Sequence, residues 1–255
     1  MSKDIRPMLD GWDYEPGNIS VRIVRGGDGR DKVQMRVDLG LLQMELDGRP
    51  DGTRPHSRES LLDYLAAKAE SSRNPDEFQI SDEDCEELLR EGVQYYYRYL
   101  SFFHLGRYDL AERDTRRNLR LFGFVRKHAP TEQMKWRFDQ YRPYVTMMNT
   151  RARATPEFEA KHFRAALKIV DEGIGLIREF LVENELEEQE DDCVELEFLK
   201  RWRREIERMR PKDPAEKLQR QLDQAVESED YERAAKLRDE LRKQTGAKST
   251  GEISD

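Results

Sequence analysis

Cysteine and histidine are scarce in this chain of 255 residues: it has two of the former, Cys85 and Cys193, and four of the latter. The cysteines stand alone in acidic, helix-like stretches with no CxxC, so neither a zinc site nor a disulfide framework is expected. His56, His104, His128 and His162 lie far apart, without H-E-x-x-H or carboxylate spacing, which argues against a metal or general-base role. No G-x-S-x-G and no Cys-His arrangement occurs. The run Gly26-Gly27-Asp28-Gly29 sits between two strand patterns and lacks the lysine and helix start of a phosphate loop, so it reads as a hairpin turn. No apolar run approaches a membrane span, and Met1-Ser2-Lys3-Asp4 opens no secretory signal. The expectation is a cytoplasmic protein that is not an enzyme and uses no cofactor and no metal.

Charge, by contrast, is abundant. Charged residues make up 38% of the chain against 36% hydrophobic, which favours exposed amphipathic helices over one thick core. The net charge of -8 argues against a general nucleic-acid binder. The fold class that follows is mainly α with a small β module. Residues 1–75 are expected to form that module. Trp12 and Tyr14 lie in a lead-in; Ile19, Val21 and Ile23 alternate, then Val33, Met35, Val37 and Leu39 alternate after the glycine turn, an antiparallel β-hairpin. Gly40 reads as a bulge or bend before Leu41 to Leu46. Leu61, Leu62, Leu65, Ala66 and Ala69 offer a helix to cover the sheet.

Residues 76–210 carry only helical patterns. Ser81-Asp82-Glu83-Asp84 is a helix start, followed by a face of Leu88, Leu89, Val93, Tyr96, Tyr97, Leu100 and Phe103. Gly106, Tyr108 and Ala111 resemble the inter-helix turn of a tetratricopeptide repeat, and Lys161, Phe163 and Ala166 repeat it, with a further turn or helix between them around Thr131 to Arg142. Pro143 and Pro156 are expected to start or kink helices. Phe158 to Glu183 reads as one long helix and Val194 to Met209 as another, separated by an acidic run. The tail from 245 to 255 is expected to be disordered.

Two side-chain groups in this region carry alternative readings. Arg113, Arg116, Arg117 and Arg120 share one helix face, either a patch for phosphate or an acidic partner, or a solvated face paired with acids such as those of 183–197. Tyr95, Tyr96, Tyr97, Tyr99, Phe102 and Phe103 either pack inward as core or line a peptide groove.

The most specific stretch is residues 211–244. Leu218, Leu222, Ala225 and Val226 form one helical stripe; Tyr231, Ala234, Ala235, Leu237 and Leu241 form a second after the break Glu227-Ser228-Glu229-Asp230, where Asp230 or Ser228 can cap the second helix. This order, with Asp230-Tyr231-Glu232, the alanine pair and Leu237-Arg238-Asp239, resembles the UVR motif of the UvrB and UvrC subunits of bacterial excision repair and of some stress-response adaptors. Val226 stands where the family has a small residue, and Glu229 where it prefers an apolar one. The resemblance implies a helical hairpin that docks another protein, often one bearing a second copy of the motif, through Leu218, Leu222, Tyr231, Ala234, Leu237, Arg238 and Leu241. It implies an adaptor linked to excision repair or to a stress-response protease system; a nucleic-acid-associated factor using the arginine face is the alternative.

Overall fold

The computed structural model describes residues 4–211, 214–228 and 230–249. The chain is mainly α with one small sheet, and it divides into two compact units, one from Met1 to Glu207 and one that begins at Arg208. No boundary separates the β module at residue 75 from the helices, because the sheet and the first long helices share one core.

After the short helix α1 (Arg6–Leu9), strands β1 (Val21–Arg25), β2 (Asp31–Val37) and β3 (Gly40–Glu45) pair antiparallel in the order β1-β2-β3. Ile23 faces Val33 across the first hairpin and Met35 faces Leu42 across the second. Gly40 is therefore no bulge. Val37 pairs with Gly40 across the two-residue loop Asp38-Leu39, and Arg36 closes this loop by donating to the carbonyls of Val37 and Gly40. The lead-in is pinned to β1: the Arg22 guanidinium lies 3.9 Å from the Trp12 ring centroid, and Trp12 donates its indole N–H to Ser20.

The helices are α2 (Leu61–Glu70), α3 (Asp82–His104), α4 (Tyr108–His128), α5 (Glu132–Asp139), α6 (Arg142–Glu159), α7 (Phe163–Glu183) and α8 (Val194–Met209). Ser60 caps α2, and Ser81 with Asp84 forms a capping box on α3, satisfying amides that have no partner inside the helix. Pro143 opens α6, and Pro156 falls in its last turn. Phe158 ends α6 rather than starting α7. The interruption is a left-handed residue: Lys161 has φ +62°, His162 N–H donates to Glu157 O and Lys161 N–H to Phe158 O. The end of α3 repeats this wiring around Gly106, with Arg107 N–H to Phe102 O and Gly106 N–H to Phe103 O. The pairs α3–α4 and α6–α7 are thus helical hairpins with one turn design. Each pair spans more residues than the ~34 of a tetratricopeptide unit.

Two apolar clusters fill the first unit. Val33, Met35 and Met44 of the sheet join Tyr99 and Phe102 of α3 and the inner faces of α6, α7 and α8. Leu61, Leu62 and Leu65 of α2 join Leu88, Leu121, Phe122, Phe138 and Val145. The face expected on α3 is only partly the buried one, since Val93 is exposed while Glu91, Tyr95 and Arg98 are enclosed. Arg98 and Asp114, each with 1% of its side chain exposed, form a two-point ion pair at 2.6 and 2.9 Å, and Arg98 also donates to the carbonyls of Glu45 and Gly48. Glu91 accepts the amides of Leu61 and Leu62 and pairs with Arg117.

Helices α6 and α7 touch closely where Gly173 meets Thr150; a Cβ at Gly173 would lie 2.2 Å from Thr150 Oγ1, whereas one at Gly175 meets nothing within 4 Å. Gly173→Ala should lower stability by about 1–3 kcal/mol through overpacking, while Gly175→Ala should raise it by about 0.5–1 kcal/mol through helix propensity. Urea midpoints at constant slope would read both signs. Asp114→Ala, which strands the buried Arg98, should cost about 3–5 kcal/mol in the same measurement.

Candidate functional site

The second unit contains helices α9 (Pro214–Glu227) and α10 (Tyr231–Ser249), which pack on each other as a hairpin. Helix α10 runs to Ser249, and residues 250–255 of the tail expected to be disordered lie outside the described ones. The turn is built as the residue types demand. Asp230 Oδ1 accepts the backbone N–H of Arg233 and caps α10, while Ser228 donates its hydroxyl to the carbonyls of Gln224 and Ala225 at the end of α9. Glu229, the position of the departure from the motif, lies outside the described residues.

Ala225, Ala234 and Leu237 are buried between the two helices, with Leu218 and Leu222 half-buried against them. Successive residues on a helix point about 100° apart, so of Ala225-Val226 and Ala234-Ala235 only the first member of each pair faces the partner helix. Four of the seven residues expected to bind a partner, Leu218, Leu222, Ala234 and Leu237, therefore hold the hairpin together. Leu241 is half-buried, Arg238 is exposed with its guanidinium 3.8 Å from Asp239, and Tyr231 is 69% exposed. Val226, assigned by the sequence stripe to the interior, is 51% exposed.

The upstream turns show why this exposure is unusual. Tyr108, Phe163 and Tyr231 each open a helix, and the alanine three residues later, Ala111, Ala166 or Ala234, is buried each time. Asp230 N–H donates to Ala225 O at 2.8 Å, the same five-residue span as Arg107 to Phe102 and His162 to Glu157. In the two upstream turns the opening aromatic packs on a ring five residues earlier: Phe103 with Tyr108 at 5.3 Å and Phe158 with Phe163 at 6.0 Å between centroids. The position five before Tyr231 is Val226. The hairpin thus keeps the turn but leaves both apolar members of the contact open to solvent. Spacing showed the repeated turn; only burial separated the half-buried, paired rings from the open one.

The arginine face is resolved by carboxylate partners, from distant segments for Arg113, Arg117 and Arg120 and from the same helix for Arg116. Arg113 pairs with Asp47 and Asp114, Arg116 with Glu112, Arg117 with Glu91 and Arg120 with Asp63. Of the acids of 183–197, Glu183 pairs with Arg126 and Arg142, Glu190 with Arg178 and Lys200, and Glu197 with Lys200, none of them with the arginine face. Burial pulls the Arg117 pKa down, and the carboxylate of Glu91 and the ring of Tyr95, 4.1 Å away, offset that cost. Among the aromatics, Tyr95, Tyr99 and Phe102 are core, while Tyr96, Tyr97 and Phe103 are half-buried. Of the histidines, His128 meets the Phe78 carbonyl, His162 meets Glu157, and His56 stacks on Tyr64. Among the described residues, no three of His, Cys, Asp and Glu gather in a group able to hold a metal.

Compared with known proteins, the chain matches no curated protein and no solved structure. A family model does match part of it: residues 212–243 carry the UvrB/uvrC motif, UVR.

Proposed function

We propose that the protein is a non-enzymatic cytoplasmic adaptor that docks another protein through its UVR hairpin, with Val226 and Tyr231 at the turn end as the contact. The observation that carries this reading is the exposure of these two residues in a turn whose upstream counterparts are half-buried against each other. An exposed tyrosine beside an apolar neighbour supplies large, stiff contact area, the kind that dominates interface energetics. The partner in this reading is a protein bearing a UVR motif of its own, from excision repair or a stress-response protease system, a choice that rests on the motif. In the same proposal the first unit, with its tetratricopeptide-like hairpins, is the body that the docking module tethers. The arginine face lends no support to a nucleic-acid role, since each of its four guanidinium groups already meets a carboxylate.

Binding of the full chain to a separately expressed UVR-bearing protein tests the proposal. Tyr231→Glu and Val226→Glu should each weaken capture by about tenfold or more while leaving the helical circular dichroism unchanged, because both side chains are exposed. Leu237→Asp should also lose binding, but with loss of helix, since Leu237 is buried in the hairpin. Wild-type capture by Tyr231→Glu would refute the docking surface. Capture that collapses between low and moderate salt would point instead to nucleic acid.

A further inference from the structure

Helices α3, α4, α6 and α8 enclose an open cavity of about 590 Å³ within the first unit. Its wall is predominantly apolar and aromatic, with Val93, Tyr96 and Tyr97 from α3, Phe122 from α4, and Tyr144 from α6. Cavities of about 300–1,000 Å³ with this lining are the usual size and character of small-molecule sites. Tyr141, just before α6, and Val93 both line the cavity and are exposed, so part of its wall stands open to water. Val194, which precedes the lining residue Glu195, is 76% exposed.

One charged side chain lines this cavity. Glu195 is half-buried in the first turn of α8. In a chain whose enclosed and half-enclosed carboxylates habitually face arginine or lysine, as Glu91, Asp114, Asp139 and Glu190 do, Glu195 makes no ion pair among the described residues. Its one hydrogen-bond partner there is the Cys193 thiol, at 3.7 Å. No arginine, lysine or histidine lines the cavity. The tyrosines form a connected group, Tyr96 lying 5.2 Å from Tyr97 and 6.2 Å from Tyr144 between ring centroids. Burial pushes the Tyr144 hydroxyl up to about 12, so it stays neutral. Arginines stack on Tyr95, Phe102, Phe103 and Phe198, but among the described residues none stacks on Tyr96, Tyr97, Tyr141 or Tyr144.

We propose that this cavity binds a small organic cation, an ammonium group on an apolar body of aromatic size, with the charge against Glu195 and the body on the tyrosine rings. Tyrosine faces attract cations through the ring quadrupole, and a carboxylate with no ion pair supplies the matching charge. The site stands on residues of the first unit alone and does not depend on the docking hairpin.

Calorimetric titration of the full chain with 2-phenylethylamine, 2-phenylethanol and 3-phenylpropionate tests the inference. The amine should bind at least tenfold more tightly than the alcohol, and the carboxylate most weakly. Glu195→Gln should erase the preference for the amine over the alcohol without changing the melting temperature. Val93→Trp, which places bulk on the exposed wall, should abolish binding of both. Equal affinity for amine and alcohol, a preference that survives Glu195→Gln, or no binding of the amine at millimolar concentration would each overturn it. So would capture of a lysine-bearing peptide without capture of the free amine, which would assign the cavity to a protein partner.

Discussion

The Arg98–Asp114 pair is the constraint around which the first unit is arranged. Enclosing two opposite charges costs several kcal/mol of hydration per ion, and the cost is met only where geometry satisfies the remaining polar atoms. Here the guanidinium meets both carboxylate oxygens, donates to the carbonyls of Glu45 and Gly48, and lies over Tyr95 and Phe102. Those contacts come from three places: α3, α4 and the turn that follows β3. A three-stranded sheet is marginal alone, and this one is fastened to the helices by a side chain that cannot be satisfied anywhere else. Glu91 repeats the device for α2, accepting its first amides while Arg117 and Arg49 balance the charge.

None of this was legible in the sequence, for a physical reason. Arg98 and Glu91 fall within an apolar pattern on α3, and a charge at such a position reads as a residue reaching for solvent. Whether it is enclosed depends on acids and carbonyls supplied by Asp114, Glu45 and Gly48, and the last two are about 50 residues away. The arginine face shows the same limit: helical spacing correctly puts four arginines on one side of α4, but their partners Asp47, Asp63 and Glu91 belong to other elements. Local features fared better, because their causes are local. The capping box at Ser81, the left-handed Gly106 and the antiparallel pairing of β1 with β2 follow from a few adjacent residues. The β2–β3 turn went unread because Asp38-Leu39 has no glycine within the loop, and the glycine beside it drew the expectation of a bulge. The partition of the C-terminal hairpin was half legible: the stripes placed Leu218, Leu222, Ala234 and Leu237 at one interface, but not that this interface is internal.

The repeated helix turn occurs in both units. Its wiring needs a left-handed residue, supplied by glycine at 106 and, at a steric cost that the local hydrogen bonds offset, by lysine at 161. Its packing needs a small residue three positions into the second helix and an aromatic at the first. The two upstream copies satisfy all of these internally. The third copy has the alanine and the hydrogen bond from Asp230 N–H to Ala225 O but not the aromatic packing, so Tyr231 is surplus to the fold of the hairpin.

That surplus is the informative quantity in a chain this highly charged. Where charged residues are so numerous, a charged patch carries little functional meaning, since its members have many opposite charges to meet, and the arginines of α4 met theirs. An amphipathic stripe carries little more, because a helix must bury one to be stable at all. What folding does not explain is a group left without the partner that its equivalents have. Tyr231 lacks the ring that Tyr108 and Phe163 pack on, and Glu195 lacks the cation that Glu91 and Glu190 hold. An apolar group wants surface and a carboxylate wants charge, so the two vacancies differ in kind, and they point to a protein surface at one and to a small cation at the other.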